Sequence, residues 1–398
     1  MALLASLKLQ FRSNRNRLSW ATVAIGVGVL GLLARFALAK RTLGSNDITT
    51  WAGFARAIRT TSLGNVYDTV AGFNHPPLMG WFAAVADAAS VRFQMRFDLA
   101  FKAPMILAAC VGAALIYRYW RGRRASYAPL AFVLFCWNPM SFLVSGYHGN
   151  TDSLCAMLSL LAALLMDCGL PFWGGLALAA SINVKLIAVL LIPVLLSCTR
   201  SWKQALHFGA AVSLGALPFL PFVLFHWDGF RAHVLSYNSY PGFWGLTQLL
   251  VDLRASPRFS AIGTDLLDSY MKLGKTFVLL APVVLAGMNV WAKRRWGARQ
   301  LSALIYCVFL LVTPGFGVQY LVYPVLLLFA VNLRHAVTYS WSAGLYAAVV
   351  YFALWTGTPP AFSDFNQPYP IVANGFGYIA WALLLHATVS LARAPARA

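Results

Sequence analysis

PFWGGLALAASINVKLIAVLLIPVLLSC, residues 171–198, is the stretch that decides the fold. It is a 28-residue apolar run with Asn183-Val184-Lys185 at its middle. A helix that crosses a bilayer needs about 20 apolar residues. The run is therefore long for one crossing, and a lysine at membrane depth is costly to keep. Helices broken at that depth are tolerated where they line a polar cavity. We read two short arms joined at Asn183-Val184-Lys185, with Lys185 near the outer face. One long tilted helix with a buried Lys185 is the simpler alternative.

The flanking charges favour the broken pair. Cytoplasmic loops of membrane proteins collect Lys and Arg. Here the basic clusters are Lys8/Arg12/Arg15/Arg17, Arg118/Arg121/Arg123/Arg124, Arg200/Lys203, Lys293/Arg294/Arg295/Arg299, Arg334 and Arg393/Arg397. If Arg124 and Arg200 share a side, an even number of crossings joins them. Apolar runs 127–144 and 153–167 supply two, so 171–198 must begin and end on the same side. Further spans are expected at 20–39, 103–119, 206–225, 276–292, 299–313, 319–333, 339–356 and 371–391. The first of these, ending Ala-Leu-Ala before Lys40, is read as an uncleaved span rather than a leader, because the residues after it carry chemistry. Residues 1–398 then form a single all-α, polytopic transmembrane domain of about 11–13 helices, with both termini cytoplasmic.

Composition agrees. Of 398 residues 60% are apolar and 11% charged, against about 25% charged in soluble domains. The net charge of +20 resembles a nucleic-acid footprint. Its segregation into short clusters between apolar runs instead marks membrane orientation, and no nucleic-acid partner is expected. The six cysteines lie in or beside apolar runs without a CxxC, so neither disulfides nor a metal site is expected. No HxxxH or HExxH spacing supports a metal, and no cofactor is expected. All 11 acidic residues are Asp, so any carboxylate chemistry falls to one of them.

Two outer loops are long, 40–102 and 226–275, and loops of that length are usually functional. In the first, Ile48, Trp51, Ala55 and Ile58 recur at helical spacing with Arg56 and Arg59 on another face. This predicts a short interfacial helix, capped by Ser45 or Asn46, with Asp47 in its first turn. Run 78–91 is apolar but short, which suits a horizontal or re-entrant helix. The second loop carries Trp227, Tyr237, Tyr240, Phe243 and Trp244, a candidate acceptor site.

Asp47 after the first span, Gly64-Asn65-Val66-Tyr67, and then Asn74-His75-Pro76-Pro77-Leu78 resemble the first outer loop of the polytopic GT-C glycosyltransferases. Trp137-Asn138-Pro139 and Gly149-Asn150-Thr151-Asp152-Ser153 are similar to elements of the mannosyltransferase that adds the first mannose of GPI anchors. So are Val184-Lys185 and Ile192-Pro193. Thr313-Pro314-Gly315-Phe316 with Gln319-Tyr320 resembles a segment of the dolichyl-phosphate-sugar transferases. One departure is clear: the GPI-anchor enzyme carries Asp-x-Asp where this chain has the single Asp47 before Ile48 and Thr49.

The resemblance implies an inverting transfer of a hexose, mannose first, from a polyprenyl-phosphate carrier to a hydroxyl of a lipid or glycan acceptor. The reaction takes place on the outer face of a plasma or inner membrane. Such a transfer asks for a base near the acceptor hydroxyl and for donors on the phosphate, whose charge grows as it leaves. Asp47 is the expected base. Lys185, His75, Arg56 and Arg59 are the expected phosphate ligands. Tyr67, Asn74, His148, Asn150, Asp152, Gln319 and Tyr320 are the expected sugar or acceptor contacts. A transporter or flippase of lipid-linked or anionic substrates is the alternative, since it would also use broken helices and an intramembrane Lys.

Overall fold

The computed structural model describes residues 2–70, 72–237, 239–291, 296–356 and 361–394, with side chains from residue 20 onward. Lys293, Arg294, Arg295 and Arg397 lie outside the described residues, as do the side chains of Lys8, Arg12, Arg15 and Arg17.

The fold is all-α. Helix α1 (Ala2–Arg41) leads into a short strand, β1 (Thr42–Ser45), and then α2 (Asn46–Thr60), α3 (Leu63–Thr69), α4 (Pro77–Arg92) and α5 (Phe97–Arg123). A bent pair follows, α6 (Ala128–Cys136) and α7 (Pro139–Leu143), and then α8 (Asp152–Asp167), α9 (Pro171–Val184), α10 (Leu191–Leu196) and α11 (Trp202–Leu214). Short helices α12 (Leu220–Phe225), α13 (Trp227–Phe230) and α14 (Gly245–Ala255) precede the long α15 (Ser260–Trp291). Helices α16 (Ala298–Val312), α17 (Tyr323–Val331), α18 (Leu333–Ala353) and α19 (Ile371–Arg393) complete the bundle, with β2 (Ala361–Ser363) pairing parallel to β1.

Among the described residues, five helices are long and apolar enough to cross a membrane: Trp20–Arg41, Phe97–Arg123, Trp202–Phe225, Ser260–Trp291 and Ile371–Arg393. The pair around Trp137, bent by 48°, makes a sixth. This is fewer than the 11–13 expected, because several apolar runs form shorter pieces. Prolines and polar residues break or cap them, as at Lys185, Thr313 and Asn332. Of the long helices, α1, α15 and α19 present Leu30, Leu33, Val283 and Ile379 outward, as lipid-facing surfaces do, whereas α5 buries half of its length against its neighbours. The short α8, α16 and α17 fill the centre, where Leu160, Leu304 and Leu327 are fully buried.

The helices run between two ends. At the upper end Lys185 meets Asp152, and Tyr351 meets His148. At the lower end the Asp167 carboxylate accepts from the Ala298 N–H, the Cys198 thiol faces the Trp296 carbonyl, and Gln300 donates to the Leu391 carbonyl. Helix α8 descends from Asp152 to Asp167. Helix α9 climbs back along it over 14 residues, about 21 Å, and delivers Lys185 to Asp152. The chain then returns to Ser197, whose carbonyl and hydroxyl accept from Asn289. Run 171–198 thus begins and ends at the same level with Lys185 at its tip, as charge parity required. Its arms splay: α9 lies against α8 and α11, and α10 against α15 and α16.

Local chemistry explains these breaks. Pro171 starts α9 where its missing N–H costs nothing. Gly175 lets α11 approach, since a Cβ there would sit 2.6 Å from the Phe208 carbonyl oxygen. Lys185 is extended (φ −150°, ψ 133°) and ends the helix. Asn183, two residues before it, donates to the Ala179 carbonyl of its own helix and to the Gly215 carbonyl at the end of α11, tying the two helices together beside the break. The Trp137–Pro139 break frees the Phe135 and Cys136 carbonyls. The fully buried Arg35 of α1 donates to both, and to the Ser141 and Ser145 hydroxyls.

The segment 40–102 follows the helical pattern expected of it. Helix α2 buries Ile48, Trp51, Phe54, Ala55 and Ile58, against α4 among others, and α4 is the short helix expected over 78–91. Ser45 occupies the N-cap, but its hydroxyl donates to the His148 carbonyl and accepts from no N–H of α2. That bond ties the start of α2 to the segment before α8.

Candidate functional site

Asp47 stands in the first turn of α2 because the chain must turn sharply off α1. Gly44 makes that turn with φ +105°, and a Cβ there would lie 2.2 Å from the Tyr147 carbonyl oxygen. The turn presses β1 onto the segment that ends α7. That segment continues to Gly149, again in the left-handed region (φ +85°), and so aims His148 and Asn150 back at Asp47.

His148 Nε2 lies 3.1 Å from Asp47 Oδ2, and the Asn150 amide donates to the same oxygen. A carboxylate only accepts, so in the neutral ring Nε2 carries the proton. Nδ1 then accepts from the Tyr351 hydroxyl at 2.9 Å. Among the described residues, both hydrogen bonds to Asp47 fall on Oδ2, and its side chain is 30% exposed. Burial pushes the Asp47 carboxyl up. The hydrogen bond and charge of His148, the Asn150 bond and the Lys185 charge outweigh it and hold the carboxyl at about 2.

A second carboxylate lies beside this chain of bonds. Asp152, in the first turn of α8, is fully buried. It receives Lys185 Nζ at 2.9 and 3.0 Å and the Tyr323 hydroxyl. The Lys185 ammonium also sits 5.4 Å over the Tyr320 ring. His75 stacks on Trp51, ring centroids 4.2 Å apart, one turn of α2 beyond Asp47. Burial, then the Lys185 charge, lowers His75 to about 3 against the opposing pull of Asp47.

Of the expected site residues, Asp47, His75, His148, Asn150, Asp152, Lys185 and Tyr320 come together, with Gln319 next to Tyr320 and Asn74 next to His75. Some expected roles change. Tyr67 is fully buried and its hydroxyl donates to the His75 carbonyl at 2.7 Å, so it fixes the His-Pro-Pro turn rather than facing a ligand. Asp152 is the counter-ion of Lys185 and has no face left for a sugar. His75 is neutral at physiological pH and offers a hydrogen bond rather than a charge. Arg56 and Arg59 do not reach the cluster. Both are exposed on the outer face of α2, and Arg59 pairs with Asp87 of α4. The 3.6-residue period that buries Ile48 and Trp51 turns these arginines away.

Tyr323 and Tyr351 were not anticipated. Each places a hydroxyl in an apolar run at the upper end of the bundle, a weak signal, because such tyrosines are common interface anchors. Among the described residues, no group of three or more His, Cys or Asp is placed to hold a metal ion.

No family model matches the chain, and no curated protein matches it.

Proposed function

We propose that the protein is a membrane glycosyltransferase that moves a hexose, mannose in the first instance, from a polyprenyl-phosphate carrier to a hydroxyl of a lipid or glycan. Asp47 acts as general base on the extracytoplasmic face. One observation carries the reading. Asp47 is a partly exposed carboxylate whose Oδ2 is oriented by His148 and Asn150, with the Lys185 ammonium close enough to bias its ionisation.

An acceptor hydroxyl hydrogen-bonded to Oδ1 would lose its proton as its oxygen attacks the anomeric carbon. The bond from that carbon to the phosphate oxygen breaks on the opposite face, inverting the centre. Lys185 and the His75 N–H stabilise the charge that grows on the leaving phosphate. A carboxyl held at about 2 is ionised before substrate arrives. An anionic phosphate bound nearby raises it toward values at which it accepts a proton more readily.

The test is incubation of purified protein with radiolabelled polyprenyl-phosphate-mannose and a membrane lipid extract. Wild type should label a product, and Asp47→Asn should lower turnover by about 10²–10⁴-fold while still binding donor. Intact transfer by Asp47→Asn would overturn the reading. Flux of an unmodified lipid-linked substrate into empty vesicles would instead support a transporter, which the buried Lys185–Asp152 pair would also suit.

A further inference from the structure

At the lower end of the bundle, remote from Asp47, lies a cavity of about 570 Å³ lined by Trp120, Arg123, Arg124, Arg299, Gln300 and Asn332, among others. Its volume is that of an ordinary small-ligand site. Its three arginines are not equivalent. The Arg299 guanidinium is already committed, since it pairs with Asp167, donates to the Ala330 carbonyl and stacks 4.3 Å over Tyr119. Gln300 donates to the Leu391 and Ala394 carbonyls, and Asn332 caps α18 through the Arg334 and His335 N–H groups.

Arg123 and Arg124 differ. They end α5, are exposed, and rest only on aromatic faces: Arg123 over Tyr119 at 5.7 Å and Arg124 over Tyr127 at 5.4 Å. Among the described residues, neither pairs with a carboxylate, and no carboxylate lines the cavity. Asp167 neutralises Arg299 from behind, so the cavity keeps two uncompensated positive charges beside a rigid aromatic wall. Trp120 fixes that wall by donating to the Phe329 carbonyl and stacking on Tyr127.

We propose that this cavity binds a phosphate-bearing anion through Arg123 and Arg124. Guanidinium forks match phosphate oxygens in pairs, and the anion would be an anionic lipid headgroup or free phosphate. The site is independent of the sugar-transfer reading, since it shares no residue with the Asp47 cluster.

The test uses full-length protein in nanodiscs of phosphatidylcholine, with and without phosphatidylglycerol. Retained phosphatidylglycerol is counted by native mass spectrometry after extraction. Wild type should retain it, and the Arg123→Gln/Arg124→Gln variant should bind about thirty-fold more weakly. Arg258→Gln, remote from the cavity, should match wild type. Retention that survives excess inorganic phosphate identifies the lipid headgroup, whereas displacement by inorganic phosphate identifies free phosphate. Equal retention by the double variant and wild type overturns the proposal. Should the double variant misfold, Arg124→Gln alone serves, with loss of wild-type retention at high ionic strength as a second measurement. Retention indifferent to both would refute it equally.

Discussion

Removing Asp152 strands the Lys185 ammonium at the tip of the broken α9–α10 pair. The lysine side chain is 12% exposed and the aspartate fully buried, so water replaces little of the lost contact. Lys185 gives up two hydrogen bonds of 2.9 and 3.0 Å, and Tyr323 loses its acceptor. Breaking one partner of a buried pair costs about 3–5 kcal/mol, because the other charge is left uncompensated. The unmet Tyr323 hydroxyl sets about 1 kcal/mol of that. Asp152→Asn should therefore destabilise by about 3 kcal/mol, less than Asp152→Ala, because the amide still accepts from Tyr323. Lys185→Met should cost about as much by stranding the carboxylate. The double variant Asp152→Asn/Lys185→Met should cost well under the sum, since no charge remains buried. The assay is unfolding in mixed micelles across a denaturing-detergent titration for all four proteins. A coupling energy below about 0.5 kcal/mol, or single variants that each cost under about 1 kcal/mol, would refute the claim that this pair holds the tip.

Other consequences are equally concrete. Tyr351→Phe removes the hydroxyl that fixes the His148 ring; turnover should fall about tenfold, a loss of roughly 1–2 kcal/mol, with little change in KM. The Asp47 carboxyl drops from 3.8 unfolded to about 2 folded. Its ionised form thus adds about 2 kcal/mol of stability above pH 4, lost as pH falls toward 2, and Asp47→Asn should flatten that acid limb. His75 is lowered from 6.5 to about 3, so the unfolded chain binds the extra proton. Stability should decline as pH drops below about 6.5, and less steeply in His75→Gln. Gly175→Leu cannot fit against the Phe208 carbonyl and should cost about 1–3 kcal/mol, seen as lost folded protein on expression.

What was legible in the sequence follows from physics that acts locally. The broken pair could be read because charge parity and a lysine in an apolar run are properties of the chain itself. The face of α2 could be read because Ile48, Trp51, Ala55 and Ile58 keep the helical period. The division of labour between Asp47 and Asp152 could not. Both are first-turn aspartates of helices at the upper end, and only the fold decides that one meets Lys185 and Tyr323 while the other meets His148 and Asn150. Arg56 and Arg59 misled for the same reason. Phosphate chemistry made them plausible, and the helical period that buries Trp51 carries them outward. The span count exceeded the number of long helices because a run's length does not reveal where capping polar groups, such as Asn332 with its bonds to Arg334 and His335, will end it.

The scarcity of acid narrows the choice of base further. With only 11 carboxylates against 31 basic side chains, most of those inside the fold are already engaged. Asp98 holds Arg96 and Lys102 at the foot of β1, Asp152 holds Lys185, and Asp167 holds Arg299 and the start of α16. Asp68 and Asp87 pair with His226 and Arg59 near the surface, and Asp252 accepts from Gln248 and Tyr378. Asp228, Asp265 and Asp268 are exposed. Asp364 accepts from the Asn366 N–H in its own turn. Asp47 combines features none of these share: a histidine and an amide both grip its Oδ2, and its side chain stays partly exposed beside the Lys185–Asp152 pair. A carboxylate kept for structure gains most from a full ionic partner, as Asp152 and Asp167 have. On the proposed reading a carboxylate that takes a proton must stay oriented yet free to accept, and His148, steadied by Tyr351, orients Asp47 through one oxygen. Replacing His148 with Lys should therefore leave Asp47 ionised and the fold intact while suppressing transfer, because a permanent cation on Oδ2 makes the carboxylate a poorer base.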